Sequence, residues 1–272
     1  MPRLSVNLNK IALLRNSRRT GVPDLQEFAQ IALEEGAAGI TVHPRPDERH
    51  IRHQDVVALS TLMQPKRPRF ELNVEGYPDE RLLQIASEVR PEQCTLVPDA
   101  PSAFTSEKGW NLTEPELRHV LPSIALLKGC GCRVILFVDP DPTVADRVRE
   151  TGADGIEIYT GAYAAAFRAN QYVSVLDACA ETARSAQASG LIVNAGHDLN
   201  LLNLLPLLAR IPFLAEASIG HQLTVDALRD GFGPTVRRYA AALAAAGNGG
   251  ISATSPQSSA TRTDRISPPS TR

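Results

Sequence analysis

Histidines and arginines are concentrated in one short stretch of the chain, GAAGITVHPRPDERHI at Gly36–Ile51. A strand is predicted for Gly39–Val42, and the loop after it carries four basic or imidazole side chains, namely His43, Arg45, Arg49 and His50. Imidazoles transfer protons near neutral pH, and guanidinium groups bind carboxylates or phosphates. The stretch therefore predicts a site at which an anionic substrate is bound and protons are transferred.

Eight predicted strands alternate with predicted helices along the chain. The strands are expected at Arg3–Asn7, Gly39–Val42, Phe70–Val74, Cys94–Val97 and Arg133–Val138, within Gly152–Thr160, and at Leu191–Asn194 and Glu216–Ile219. This alternation is typical of α/β proteins, either a closed (β/α)8 TIM barrel or an open doubly wound sheet. Strands of the open sheet are usually apolar on both faces, whereas strands one, two, three and six here alternate apolar with polar residues. The sequence therefore favours the closed barrel, with a polar interior.

Two connecting segments bear on the site and on assembly. The segment after the first strand, from Asn9 to Arg19, is rich in polar and basic residues and is predicted as a long loop. Val173–Ser189 is rich in alanine and is predicted as a long helix, which adds an extra helix between strands six and seven.

The active site of such a barrel lies at the carboxyl ends of its strands. This edge, called the rim below, is predicted to carry Asn7, His43, Glu71, Thr105, Asp139, Glu157, His197, Gly220 and His221. Glu71 and Glu157 have apolar neighbours, and burial would raise the pKa of each carboxyl group into the range useful for acid–base catalysis. The same residue types also have structural uses: His43 and His197 can be buried hydrogen-bonding groups, Glu157 can pair with an arginine, and Asp139 is better explained as structural.

Two glycine–histidine pairs follow neighbouring strands, in Asn194-Ala195-Gly196-His197 and in Ser218-Ile219-Gly220-His221. The second precedes a helix, at the position where barrels often bind phosphate on backbone N–H groups. Arg18, Arg45 and His50 can complete such anion sites. We therefore expect two phosphate sites, for one bisphosphate or two monophosphate substrates.

The bulk composition limits the choice of partners and domains. The 272 residues include 28 basic and 30 acidic side chains, so the net charge does not suggest a nucleic acid or membrane partner. No apolar run is long enough to span a membrane, and the four cysteines lack the spacing of a zinc site or a disulfide framework. We expect a cytoplasmic protein with one domain over residues 1–246 and a disordered tail over residues 247–272, where Gly, Ser, Thr and Pro dominate.

The assembled motifs resemble the pyridoxine 5'-phosphate synthases of the deoxyxylulose-phosphate-dependent vitamin B6 route. The resemblance extends from Leu4 to Ala246 and is carried by SVNLNKIALLRNSR, GITVHPRPDERHI, Glu71, LVPDAPSAFTSEKG, GIEIYTG, VNAGHDLN and SIGH. It implies condensation of 1-deoxy-D-xylulose 5-phosphate with 3-amino-2-oxopropyl phosphate, followed by closure of the pyridine ring with release of phosphate and water. It also implies that neither a cofactor nor a metal ion is needed, and that the chain forms a homo-oligomer, as a rule an octamer.

The resemblance also implies roles for individual residues. His43 and Glu71 match proton acceptors, His197 a proton donor and Glu157 a group that stabilises the transition state. The amino-ketone phosphate site would include Asn7, Arg18, Asp198, Gly220 and His221, and the deoxyxylulose phosphate site Asn9, Lys10, Arg45, His50 and Thr105. The chain departs from the family pattern at Asn9-Lys10, where many members have Asp-His, and at Asp198, where many have Gly.

Three other functions are compatible with the same rim. A metal-dependent sugar-phosphate isomerase or epimerase would use His43, Glu71, Glu157 and His197 as ligands. A Schiff-base aldolase would use Lys10. A phosphate-ligand sensor would bind without turnover, although it has no need of four proton-transferring residues.

Overall fold

The structure is a computed structural model that describes residues 1–99 and 106–247. The predicted site residue Thr105 lies outside these ranges, as does the predicted tail from residue 248 onwards. No helix in the described part of the chain is long and apolar enough to cross a membrane.

The strands form a closed parallel barrel in which each pairs with the next along the chain and the last pairs with the first. Their bounds are β1 Arg3–Asn7, β2 Gly39–Val42, β3 Glu71–Gly76, β4 Gln93–Leu96, β5 Arg133–Val138, β6 Gly155–Tyr159, β7 Ile192–Gly196 and β8 Glu216–Ile219. The prediction of a (β/α)8 TIM barrel is thus confirmed. The open doubly wound sheet is excluded because β8 pairs with β1, for example at Ala217 and Leu4.

The helices surround this barrel. They are α1 Asn9–Asn16, α2 Leu25–Glu34, α3 His53–Met63, α4 Glu80–Val89, α5 Glu114–Gly129, α6 Val144–Thr151, α7 Gly161–Arg168, α8 Val173–Ala188, α9 Leu201–Arg210, α10 His221–Asp230 and α11 Phe232–Gly247, with a short 3₁₀ turn at Gln64–Lys66. The predicted extra helix between strands six and seven is present as α8, and α7 precedes it.

The prediction of a loop after the first strand is wrong for Asn9–Asn16, which form α1, whereas residues 17–19 follow the helix as a turn. The helix buries Ile11, Ala12 and Arg15 against the barrel, and the Arg15 guanidinium donates to Asp55 at the start of α3, with 2.5 Å from Nη1 to Oδ1. The polar residues that suggested a loop therefore lie on an ordered helix, and this helix positions part of the rim.

The barrel interior is polar, as the alternating strands predicted. The hydroxyl groups of Ser5 and Thr41 lie 2.6 Å apart. The Asn73 amide nitrogen donates to the Thr41 hydroxyl at 3.3 Å, and the Thr95 hydroxyl donates to the Asn73 amide oxygen at 3.2 Å. Because these groups satisfy one another, the interior tolerates polar side chains without unpaired donors at these positions.

Glu71 does not lie on the rim, and its predicted placement there is wrong. It is the first residue of β3 and lies at the amino end of the barrel. There it accepts hydrogen bonds from two arginines, with 2.9 Å from Arg3 Nη1 to Oε1 and 2.6 Å from Arg133 Nη2 to Oε2. Burial raises the pKa of Glu71, but the hydrogen bonds from Arg133 and Arg3 outweigh this effect and the net pKa is lowered. Glu71 is therefore part of a structural ion cluster.

Replacing Glu71 with Gln is expected to destabilise the fold by about 1–3 kcal/mol, because two partly buried guanidinium groups lose their carboxylate. Urea unfolding at neutral pH measures this loss. Since the folded-state pKa is lowered, the contribution is present above the ordinary carboxyl pKa and disappears as the pH falls through the folded-state value. The difference between wild type and Glu71→Gln should therefore shrink in acid.

Glu181→Gln, on an exposed position of α8, is the matched control and should stay within about 0.5 kcal/mol of wild type. Equal stability of Glu71→Gln and wild type at neutral pH would contradict the ion cluster as a stabilising element.

Candidate active site

A cavity of about 350 Å³ opens at the carboxyl ends of the strands. It brings together most of the predicted site residues, namely Asn7, Asn9, Lys10, His43, Arg45, His50, Glu157, His197, Asp198, Gly220 and His221. Arg49, from the predicted histidine- and arginine-rich loop, also lines it, as do six residues that were not predicted as site residues, namely Leu13, Glu75, Val97, Ser106, Phe137 and Ser218. Arg18 does not line this cavity and is exposed after α1.

Hydrogen bonds through Asn7 and Asn9 link the carboxyl ends of β1, β2 and β3. The backbone N–H of His43 donates to the Asn9 side-chain oxygen at 2.9 Å, and the Asn9 N–H donates to the Asn7 side-chain oxygen, also at 2.9 Å. The Asn7 amide nitrogen donates to Glu75 Oε2 at 3.2 Å. The end of β1 and the first turn of α1 thus fix the backbone of His43 and the carboxyl group of Glu75.

His43 is buried, with 7% of the residue exposed. Burial lowers the pKa of His43 well below its ordinary value, and the positive charges of Arg45, His50 and Arg49 lower it further. Burial, followed by the charges of Arg45 and Lys10, lowers the pKa of His50 to about 4. Both imidazoles are therefore neutral at pH 7, and a neutral imidazole can accept a proton.

Glu75 is the carboxyl group that sequence reasoning missed. It lies at the penultimate position of β3, which extends to Gly76 and not only to the predicted end at Val74. Burial raises the pKa of Glu75 to about 7, although His197 counteracts it, and the Asp99 charge adds to the rise. A signal was present in the sequence, because Glu71, Asn73 and Glu75 alternate along one strand face. At neutral pH such a group can either accept or donate a proton.

Glu157 lies deep in the cavity on β6, with 2% of the residue exposed. Burial raises the pKa of Glu157 well above its ordinary value, and the nearby Glu75 and Glu216 carboxyl groups raise it further. Its Oε2 atom has no hydrogen-bond partner among the described residues. A side chain on Gly196 would place its Cβ 2.0 Å from Glu157 Oε1, so the glycine provides the space that this carboxyl group occupies.

His197 follows β7 in a left-handed backbone conformation, with φ of 85°. The Thr160 hydroxyl donates to the carbonyl oxygens of Gly196 at 2.7 Å and His197 at 2.6 Å. The ring of Tyr159 contacts the imidazole edge-to-face, with 5.1 Å between the ring centroids. These contacts hold His197 at the cavity although its backbone conformation is unfavourable for a residue with a side chain.

Positive charge is concentrated on one side of the cavity. Arg45 is buried and pairs with Asp99, with 2.7 Å from Nη2 to Oδ2, and the Ser106 hydroxyl donates to the same Asp99 oxygen at 2.5 Å. Lys10 and Arg49 line the cavity on the same side as Arg45, next to the neutral imidazole of His50. This charge favours an anionic ligand.

Asp139 and Gly220 have structural explanations. Asp139 Oδ1 accepts the backbone N–H of Gly109 at 3.0 Å, which agrees with the structural interpretation of this residue. A Cβ on Gly220 would lie 2.9 Å from the Cβ of Asn7, so a glycine is needed where β8 passes close to β1.

The described residues contain no group of three or more His, Cys, Asp or Glu side chains placed to hold a metal ion. The ligand set of the isomerase hypothesis is incomplete in particular, because Glu71 lies at the opposite end of the barrel from His43 and His197.

Fold and site together define a (β/α)8-barrel protein with acid–base groups and positive charge around one polar cavity. The family model described as "Pyridoxal phosphate biosynthesis protein PdxJ" matches residues 4–245, and the chain belongs to this family. The resemblance predicted from the sequence is thereby confirmed.

Curated relatives share one name, and this chain covers almost their full length. The chain is 48% identical over 240 residues to the pyridoxine 5'-phosphate synthase of Allorhizobium ampelinum. This alignment covers 87% of this chain and 96% of that protein. It is also 48% identical over 243 residues to the pyridoxine 5'-phosphate synthase of Brucella suis (strain ATCC 23445 / NCTC 10510), covering 89% and 98% respectively.

Solved structures at lower identity share the fold. A tryptophan synthase from M. tuberculosis, in an open form, is similar with a TM-score of 0.60 and 15% identity, over 89% of this chain and 92% of that chain. A 4-hydroxy-2-oxoglutarate aldolase from TTHB1 is similar with a TM-score of 0.54 and 18% identity, over 88% and 93%. At these identities the likeness concerns the barrel alone.

Proposed function

We propose that this protein condenses 1-deoxy-D-xylulose 5-phosphate with 3-amino-2-oxopropyl phosphate and closes the ring to pyridoxine 5'-phosphate. The observation that carries the proposal is 48% identity, over nearly their full length, to relatives named pyridoxine 5'-phosphate synthase. The cavity supports it independently, since His43, Glu75, Glu157 and His197 line one site.

The reaction requires several proton transfers. The amine of one substrate attacks the ketone of the other, the imine tautomerises, phosphate leaves, and water is added and lost. His43 and Glu75 act as proton acceptors, because His43 is neutral and Glu75 has a pKa of about 7. His197 donates protons, and the protonated Glu157 stabilises charge that develops in the transition state. The substrate supplies the amine, so the mechanism needs no catalytic lysine.

Phosphate binding is divided between two sides of the cavity. The backbone N–H groups at Gly220 and His221 begin α10 next to Asn7 and can bind the phosphate of the amino-ketone. Lys10, Arg45 and His50 can bind the deoxyxylulose phosphate. In this proposal Asn9 contributes by fixing the backbone of His43. Arg18 and Thr105 stay predictions for the amino-ketone and deoxyxylulose phosphates respectively.

Glu75→Gln and His43→Ala are each expected to lower kcat about 10²–10⁴-fold, because each removes a proton acceptor. Glu71→Gln, the matched control at the other end of the same strand, should keep kcat within about threefold of wild type. The assay mixes both substrates in the presence of a chelator and follows pyridoxine 5'-phosphate by absorbance and fluorescence.

Product formation by wild type with chelator supports the synthase and speaks against a metal-dependent isomerase. Loss of activity in Glu71→Gln with retention in Glu75→Gln would contradict the assignment of the acceptor. Absence of product from folded wild type would contradict the proposed function itself.

We also propose a cytoplasmic homo-octamer, in line with the family resemblance. Large apolar side chains on several outer helices are exposed, among them Leu14, Val173, Leu202 and Leu228, at 53%, 62%, 73% and 76%. Burial of such side chains between copies of the chain would remove apolar surface from water. Light scattering on the purified protein should give about eight times the chain mass of 29.3 kDa, and a monomer at micromolar concentration would refute the octamer.

A further inference from the structure

We propose that Asp198 is a positioning residue for His197: its carboxylate orients the imidazole ring and stabilises the ring in its protonated state. This inference rests on the proposed role of His197 as the proton donor. It assigns the Asp198 side chain to a neighbouring imidazole, whereas the sequence predicted that this residue binds substrate.

The two side chains contact each other at the cavity wall. Asp198 Oδ2 lies 3.6 Å from His197 Nδ1, and the side chains are 34% and 23% exposed respectively. Both residues line the cavity. A carboxylate on the Nδ1 side of an imidazole fixes the ring orientation and leaves Nε2 to face the substrate.

The backbone around the pair is held in an unusual conformation. His197 and Asp198 are consecutive residues in the left-handed region, with φ of 85° and 58°. The Asn203 amide nitrogen donates to the Asp198 carbonyl oxygen at 3.1 Å, and the Thr160 hydroxyl donates to that of His197. Because both carbonyl groups are anchored, the turn keeps its shape and holds the two side chains against each other. Glycine fits this conformation best, so an aspartate here suggests a use for its side chain.

The electrostatics of the pair agree with this geometry. The contact with His197 lowers the pKa of Asp198, burial partly offsets this effect, and the charges of His221 and Arg168 lower the pKa further. Interaction between two charges is mutual, so a carboxylate that is stabilised by an imidazolium stabilises that imidazolium in return.

Other charged or titratable groups also lie near His197 and contribute to its electrostatic environment. Glu75 approaches from β3 and Tyr159 from β6. Arg168, at the end of α7, and His221, at the start of α10, face the same pair. Glu157 lies behind Gly196 on the inner side of the turn. None of these groups changes in a substitution at Asp198, so an altered His197 titration reports on the carboxylate.

The test uses Asp198→Asn and Asp198→Gly, since both residues tolerate a left-handed backbone and should keep the turn. Nitrogen NMR of the His197 ring, assigned with His197→Gln, measures the titration of the full-length protein without substrates. In both variants the titration midpoint should fall below that of wild type. The basic limb of the kcat–pH profile should move in the same direction, and kcat at pH 8 should drop about tenfold with KM changed less than about twofold.

Asp146→Asn, at an exposed position of α6, is the control and should leave both the ring titration and kcat unchanged. An unchanged His197 titration in Asp198→Asn overturns the proposal. A raised KM with an unchanged ring titration also overturns it and assigns Asp198 to substrate binding. If wild type forms no product, the proposed function fails, whereas the ring titration still decides whether Asp198 acts on His197.

Discussion

Burial of two carboxyl groups inside a closed barrel is the constraint on which the site depends. Glu75 on β3 and Glu157 on β6 project into one cavity, and burial is the largest cause of the raised pKa of each. Two ionised carboxylates at this depth would be unfavourable, so protons are retained near pH 7. The same burial keeps His43 neutral. Proton donors and acceptors thus coexist at one pH because of where the strands place them.

The rest of the barrel maintains this arrangement. At the amino end of the barrel, the charge of Glu71 is balanced by ion pairs with Arg3 and Arg133, at the opposite end from the cavity. In the middle, hydroxyl and amide groups pair with one another across β1 to β4. At the rim, the chain of hydrogen bonds from Glu75 through Asn7 and Asn9 reaches the backbone of His43. One strand, β3, therefore carries a structural glutamate at its start and a reactive one near its end.

Much of the fold could be predicted because its signals are local. The bounds of β2 and β8 follow from short apolar stretches between turn residues, and the structure has them where predicted. The end of β3 was missed because apolar alternation stops at Val74, whereas the strand continues through Glu75 to Gly76 on backbone pairing with β4. Helix α1 was missed because no side chain caps its start and because its apolar residues are flanked by polar ones on both sides, Asn9-Lys10 and Arg15-Asn16. Its burial depends on the barrel and not on its own sequence.

The site was predicted best where a residue follows a strand directly, as at His43 and His197. What the sequence could not provide was the pairing of side chains, either between distant loops, as for Arg45 with Asp99, or between neighbours in a left-handed turn, as for Asp198 with His197. These contacts join loops far apart in the chain or depend on backbone conformation. They decide which groups carry charge in the cavity, and hence which protons can move.

The pH dependence of kcat/KM tests the central claim most directly, because it reports the ionisation of groups in the free protein. We expect an acid limb with a midpoint near pH 7, from the Glu75 carboxyl group with its pKa of about 7. That limb should be absent from the residual activity of Glu75→Gln and unchanged in Glu71→Gln. An acid limb near pH 4, or one that survives unchanged in Glu75→Gln, would contradict the claim that burial prepares this carboxyl group for proton transfer.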